Sequence, residues 1–378
     1  MQIAAALTQI LLSQNESAAA AKIIDEQLKL HDRSEQSLEL AGDFYQYQEQ
    51  QDKATAHYKQ ALEKNPANFS SALKLGLLSL NQNDYQAQLT AFTRAAKINP
   101  DHAQPYQGIL TAAQSEDEIS NSEKVITELV EESSNTIGYA VLSQFFSSRQ
   151  NIPKAQLYAD AFTAQSQDPK LTESVQLNLL LAQTQQYLGQ EDLATAKESV
   201  LAGLKLVPQS TPFMTLLIEI EVNTGNVQEA DKLINRLSQY EPAQAEQLRG
   251  DLLLNQQQFS QAIDAYKNAW NQEANEVRGN KLYAALRVHQ QNQADAFLNQ
   301  WLTTLPNSLE AKSIQSTNYL VAENYAAAIP IMEQIQELNP QYVQNLNNLA
   351  WAYQQVNNTK ALTVAREAYE LAPQWASI

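Results

Sequence analysis

Apolar and small residues return along this chain in short, evenly spaced groups set between polar stretches. In ATAHYKQALEKNP, from Ala54 to Pro66, small residues flank one aromatic and the run stops at a proline. AIDAYKNAWNQEA, from Ala262 to Ala274, and ALTVAREAYELAP, from Ala361 to Pro373, carry nearly the same offsets. The apolar positions within each run fall at helical spacing. Pro66 and Pro100 lie 34 residues apart, and the pairs Pro208–Pro242 and Pro306–Pro340 keep that interval. Set in register on those prolines, the chain divides into eleven units. They begin near Met1, Glu35, Phe69, Ala103, Gly138, Leu177, Thr211, Ala243, Asn275, Leu309 and Val343.

The unit from Glu35 places Leu38, Ala41, Gly42, Tyr45, Ala54, Tyr58, Ala61 and Pro66 at the recurring positions. The last unit matches it with Leu346, Leu349, Ala350, Tyr353, Ala361, Ala365, Ala368 and Pro373. A 34-residue period with these residues resembles the tetratricopeptide repeat over nearly the whole chain. The resemblance implies an all-α fold, an α-α superhelical solenoid of about eleven helix-turn-helix units. In that reading Gly42 and Ala54 stand where the two helix backbones of a unit come closest. Tyr58 fills the gap between one unit and the next, and Ala61 leaves room for the following first helix. Pro66 ends the second helix, since proline cannot donate to the helix ladder and restricts the residue before it.

The rhythm weakens between Ala103 and Lys170, where Pro105, the acidic run Glu116 to Glu118 and Pro153 interrupt it. Tyr139, Leu142, Ser143, Phe146 and Ala155 still keep the spacing, so two divergent units are expected there. The 39 residues from Pro169 to Pro208 predict a longer connection around Asp168 to Ser174. The expected organisation is residues 1–102 as N-terminal units, 103–174 as divergent units with a joint, and 175–378 as C-terminal units of one continuous solenoid. Pro330 predicts a local kink in its helix. The chain opens in repeat phase at Met1 and stops at QWASI, a few residues into what reads as another first helix. That pattern predicts a segment of a longer protein.

Composition narrows the function classes. With 42 acidic and 25 basic residues the formal charge is −17, which argues against nucleic acid, because phosphate binding needs clustered Lys and Arg. There is no cysteine, so disulfides, thiolate metal sites and cysteine nucleophiles are excluded. The strongest apolar stretches, LNLLLA from Leu177 and FMTLLIEIEV from Phe213, are too short to span a bilayer. MQIAAALTQILL lacks the positive leading segment of a secretory signal.

No residue pattern points to chemistry. His31, His57, His102 and His289 stand in different units without metal-ligand spacing and read as solvated surface residues. Glycine-rich phosphate loops, nucleophile elbows and EF-hand loops are absent from the sequence. Neither an enzyme activity nor a cofactor or metal is therefore expected. The repeat resemblance implies instead a concave groove lined by the first helices, at the second, fifth, ninth and twelfth places of each unit. These places hold Gln36, Glu39, Asp43 and Gln46 in one unit, and Asn178, Leu181, Gln185 and Leu188 in another. Further along they hold Gln244, Gln247, Asp251 and Leu254, then Glu276, Gly279, Tyr283 and Leu286, then Gln344, Asn347, Trp351 and Gln354. Such a surface suits hydrogen bonding to an extended or helical peptide, with apolar anchors. A carboxylate clamp of the kind some relatives use would find Asn348 and Arg287 but no matching lysines. A ladder of asparagines at the sixth place would find only Asn280 and Asn348. The candidate contacts are Asp43, Gln185, Asp251, Asn280, Tyr283, Arg287, Asn347, Asn348 and Trp351, with packing the commoner role for an aromatic such as Trp351.

NLNNLAWAYQQVNNTKALTVAREAYELAP, from Asn345 to Pro373, is also similar to the C-terminal units of long bacterial repeat lipoproteins that accompany exopolysaccharide and exosortase (PEP-CTERM) sorting systems. That likeness implies a periplasmic or envelope-associated setting, with a cytoplasmic one as the alternative. The sequence thus points to a non-enzymatic scaffold that binds a protein or peptide partner. A polysaccharide-binding or export accessory module and a regulatory domain of a larger enzyme are the competing classes.

Overall fold

Alanine, leucine, glutamine and glutamate form helix readily, and few glycines interrupt them. In the computed structural model, which describes residues 2–80 and 84–374, the described residues form 22 α-helices and no strand. Met1 and residues 375–378 lie outside the described residues, and with them the readings of the chain's opening phase and of QWASI as a further first helix. Among the described residues no helix is long and apolar enough to cross a membrane.

The helices pair into hairpins that fall into two compact units, Met1–Leu206 and Val207–Ile378. The first unit begins with α1 (Gln2–Ser13) and α2 (Ser17–Leu30), then α3 (Glu35–Tyr47) and α4 (Gln51–Lys64), then α5 (Phe69–Leu80) and α6 (Tyr85–Ile98). It continues with α7 (Ala103–Ala112) and α8 (Glu116–Ser133), α9 (Ile137–Ser148) and α10 (Ile152–Gln165), and α11 (Pro169–Gly189) and α12 (Leu193–Leu206). The second unit pairs α13 (Thr211–Asn223) with α14 (Val227–Leu237), α15 (Pro242–Asn255) with α16 (Phe259–Gln272), and α17 (Glu276–His289) with α18 (Gln291–Thr304). Its last hairpins are α19 (Leu309–Val321) with α20 (Tyr325–Leu338) and α21 (Val343–Gln355) with α22 (Ala361–Leu371). Within each unit a helix packs on its hairpin partner and on the next hairpin, which is how a solenoid buries a continuous core.

All but one of the expected unit starts fall within one residue of a first helix. The exception is Leu177, which lies inside α11. No loop runs from Asp168 to Ser174: Asp168 caps the helix, accepting from the backbone N–H of Lys170 at 2.9 Å and of Leu171 at 3.1 Å, and Pro169 takes the first helical position. Proline there loses only an N–H that would have no helical partner, so it starts the helix rather than breaking it. The same correction applies to the other interruptions. Pro105 and Pro153 stand in the first turns of α7 and α10, the latter capped by Asn151. The acidic run Glu116 to Glu118 is the first turn of α8, closed by a reciprocal cap between Ser115 and Glu118. Pro330 lies within α20, which continues through it.

Most hairpin turns close in one way. Asn15, Glu49, Gln150, Glu191, Gln257, Glu323 and Asn357 sit between first and second helices at φ between 53° and 62°. The next N–H bonds back across the turn, as from Asn151 to the Phe146 carbonyl at 2.9 Å.

The small residues answer to aromatic rings rather than to backbone. The Tyr58 ring occupies the space that a Cβ on Gly42 of its own hairpin would need, and Tyr266 does the same over Gly250. Phe92 lies between two glycines, Gly76 and Gly108, each of whose added Cβ would come within 2.5 Å of the ring. Tyr58 therefore locks its own hairpin, while also touching Leu78 of the next, which corrects its expected role as a filler between units alone.

Candidate functional site

Where the repeat is most regular, the exposed face of the first helices is bound up in its own contacts. Asp43 on α3 sits 2.6 Å from the Tyr58 hydroxyl of α4 and 2.7 Å from Lys74 Nζ of α5. The same ammonium lies 2.8 Å from Glu39, which also accepts from Ser70 at 2.5 Å and Asn68 at 3.2 Å. Burial alone would pull the Lys74 pKa down, but its two carboxylates outweigh that and hold it above 10.5. Burial likewise works to raise Glu39, yet the hydrogen bonds from Lys74, Ser70 and Asn68 keep it below 4.5. Asp251 repeats the arrangement in the second unit, 2.6 Å from both the Tyr266 hydroxyl and Lys281 Nζ. Glu219 on α13 retains exposed surface, but its partial burial and then Asp251 push its pKa up against the pull of Lys281. Asp43 and Asp251 are thus ties between neighbouring hairpins.

The divergent stretch is built differently. Ala103 and Gln107 of α7, Ile137, Ala140, Val141 and Gln144 of α9, and Leu171, Ser174, Val175 and Asn178 of α11 line one groove of about 90 Å³. Its floor is apolar, with Val141 at 7% and Val175 at 5% exposure. The side-chain amides of Gln107, Gln144 and Asn178 have no hydrogen-bond partner among the described residues. Leu171, Ser174 and Val175 belong to the first turns of α11, where the sequence pointed to a loop. Beneath the groove runs a core that links Phe92, Tyr106, Leu142, Phe146, Phe162 and Leu179.

In the second unit the candidate contacts separate into pairs. Tyr283 is buried, and its hydroxyl accepts from Arg287 Nη1 and Asn318 Nδ2, both at 3.1 Å. Asn280 reaches Glu310 on the next first helix at 3.2 Å. Gly279, expected to face the groove, instead lies under the Trp301 ring of α18. Asn347 and Trp351 share a shallow cavity of about 470 Å³ with Leu362 and Tyr369 of α22, and Trp351 packs edge-on to Tyr325 at 5.2 Å. Asn348 is half-buried beside them. In the first unit Gln185 accepts from Gln150 at 3.2 Å. Of the candidates, then, Tyr283 meets Arg287 and Asn347 meets Trp351, while the rest are dispersed.

The histidines are not all simply solvated. His57 stacks on Tyr45 at 5.2 Å and is partly buried, which pulls its pKa below 6.5. His289 stacks on Phe259 at 3.8 Å, and His102 caps α7 by accepting from the Gln104 N–H. The α7–α9–α11 groove escaped the sequence reading, although Asp168-Pro169 carried a signal able to reveal it. An acidic cap followed by proline opens a helix, and the eight further residues of helix before Leu177 bring Leu171 and Val175 beside α9.

Residues 39–103 and 315–374 match the tetratricopeptide repeat family, so these two segments carry tetratricopeptide repeats. No curated protein matches the chain in sequence. Among solved structures, Naa15/Naa10 bound to HypK-THB is similar at 16% identity and a TM-score of 0.40, covering 97% of this chain. The chain spans 57% of that protein's length. The human IFIT1 dimer with m7Gppp-AAAA shares 14% identity over 97% of this chain and 80% of its own, with a TM-score of 0.39. YrrB, described as a TPR protein with an unusual peptide-binding site, shares 15% identity over 47% of this chain and 95% of its own, with a TM-score of 0.33.

Proposed function

We propose that this chain is a non-enzymatic scaffold that receives a peptide segment of a partner protein against its first helices, with the α7–α9–α11 groove as the seat. One observation carries the reading. Three successive first helices offer an apolar floor with unpartnered amides at its rim. At about 90 Å³ the groove is smaller than the roughly 300–1,000 Å³ that small-molecule and cofactor sites fill, so a side chain suits it better than a cofactor. An anchor held in such a pocket, surrounded by hydrogen-bonding groups, is how a modest surface binds a peptide.

We further propose that this scaffold works at the envelope beside exopolysaccharide or protein sorting, a reading supported by the likeness of Asn345 to Pro373 to bacterial repeat lipoproteins. A photo-crosslinking residue placed at Gln144 and challenged with envelope and cytosolic extracts tests both parts. One defined envelope protein, crosslinked at Gln144 and not at a position on α14, is the expected result. A cytosolic client removes the envelope setting, and capture of polysaccharide alone removes the peptide-binding reading.

A further inference from the structure

Resting on the groove's role as a partner seat, we infer that the segment it takes is an extended, uncharged stretch of chain anchored by one aliphatic side chain. Charge is the first argument. The chain carries 67 charged Asp, Glu, Lys and Arg residues (42 acidic and 25 basic), yet none lines this groove. The corresponding faces at Asp43 and Asp251 are charged and paired. A charge lowered onto Val141 and Val175 would lose water and meet no counter-ion in the lining. Uncharged side chains lose nothing comparable.

The rim is the second argument. α7, α9 and α11 each place one amide at the groove, Gln107, Gln144 and Asn178 respectively. A side-chain amide both donates and accepts, as a peptide unit does. Packed helices stand about 8–10 Å apart, which an extended chain crosses in about three residues at ~3.3 Å each. Successive amides can therefore meet the backbone of an extended strand at regular intervals, whereas a helical ligand has already satisfied its own N–H and C=O groups. The floor is the third argument. It holds aliphatic side chains and no aromatic ring, so it offers no stacking platform for a sugar or a base.

Short random peptides displayed on phage, selected against the whole chain, provide the test. The selected sequences should share one Leu, Ile or Val within polar uncharged neighbours. A synthetic peptide of that sequence should bind with affinity changed less than about twofold between low and high salt, because no ion pair forms. Val141→Glu should weaken it by at least about tenfold, and Gln144→Ala, which leaves the floor intact, by several-fold. Thermal melts of both variants separate a lost site from a lost fold. Selected peptides that are acidic or basic, or that bind Val141→Glu and Gln144→Ala as well as the parent, overturn this inference and leave a peptide-binding scaffold standing. A selection that enriches nothing overturns the inference and the peptide-binding reading together.

Discussion

Two stretches of the first unit present the same face of their first helices to opposite effect. From α3 to α5 that face is occupied by the chain itself. Tyr58 and Lys74 converge on Asp43, and Lys74, Ser70 and Asn68 on Glu39. From α7 to α11 the equivalent groove is lined without charge, by an aliphatic floor, Ser174 and three unpartnered amides. Regular repeat chemistry is spent on holding neighbours in place. Where the repeat departs from its own rule, the groove lining is left without such ties.

The largest effect belongs to the tied side. Tyr58→Ala empties the space above Gly42 and frees Asp43, and should lower unfolding free energy by about 3–5 kcal/mol in a denaturant titration. A loss below about 1 kcal/mol would mean that neighbouring residues collapse into the hollow, and the ring would no longer explain the glycine.

Lys74→Met should cost about 1–2 kcal/mol by leaving Glu39 and Asp43 without their cation. Its signature lies in acid. Because Glu39 is held below 4.5, it contributes stability above that value and loses it as pH falls through the folded-state pKa. Removing Lys74 removes most of that depression, so the parent's lead in melting temperature over the variant should shrink as the pH falls below 4.5.

On the untied side the expected stability change is small. Gln144→Ala should shift unfolding free energy by less than about 0.5 kcal/mol while weakening the selected peptide. A large loss of stability would show the amide to be structural after all. The smallest effect is at Glu219, whose raised pKa makes its ionised form unfavourable in the folded state at neutral pH. Glu219→Gln should raise the melting temperature slightly at neutral pH, and the gain should vanish once acid protonates the parent's carboxyl. A lowered melting temperature at neutral pH would show that its attraction to Lys281 outweighs its repulsion from Asp251.

The period was readable because the residues that make it, such as Ala54, Tyr58 and Pro66, report directly on helix packing and helix ends. Their register predicted nearly every first helix. The groove was not read for the same reason in reverse. In the sequence Pro105 and Pro153 read as interruptions and Pro169 as part of a connection, although proline favours the first turn of a helix as strongly as it opposes the interior. With α11 started eight residues late, Leu171 and Val175 had no place on a helix face. Asp43 and Asp251 were found as face residues, but their partners Lys74 and Lys281 come from the next hairpin, and a single unit's pattern does not contain them. Tyr283 likewise looked available until Asn318, one hairpin further on, proved to hold its hydroxyl.

Phe92 shows how far one side chain can bind the history of a sequence. Its ring rests between Gly76 and Gly108, on successive first helices, and neither position admits a Cβ while the ring is there. Any larger residue at either glycine must wait for a smaller one at 92, and a smaller one at 92 opens two hollows at once. Three positions spread over 33 residues can therefore drift only in concert, which makes this part of the chain slow to accept change one substitution at a time.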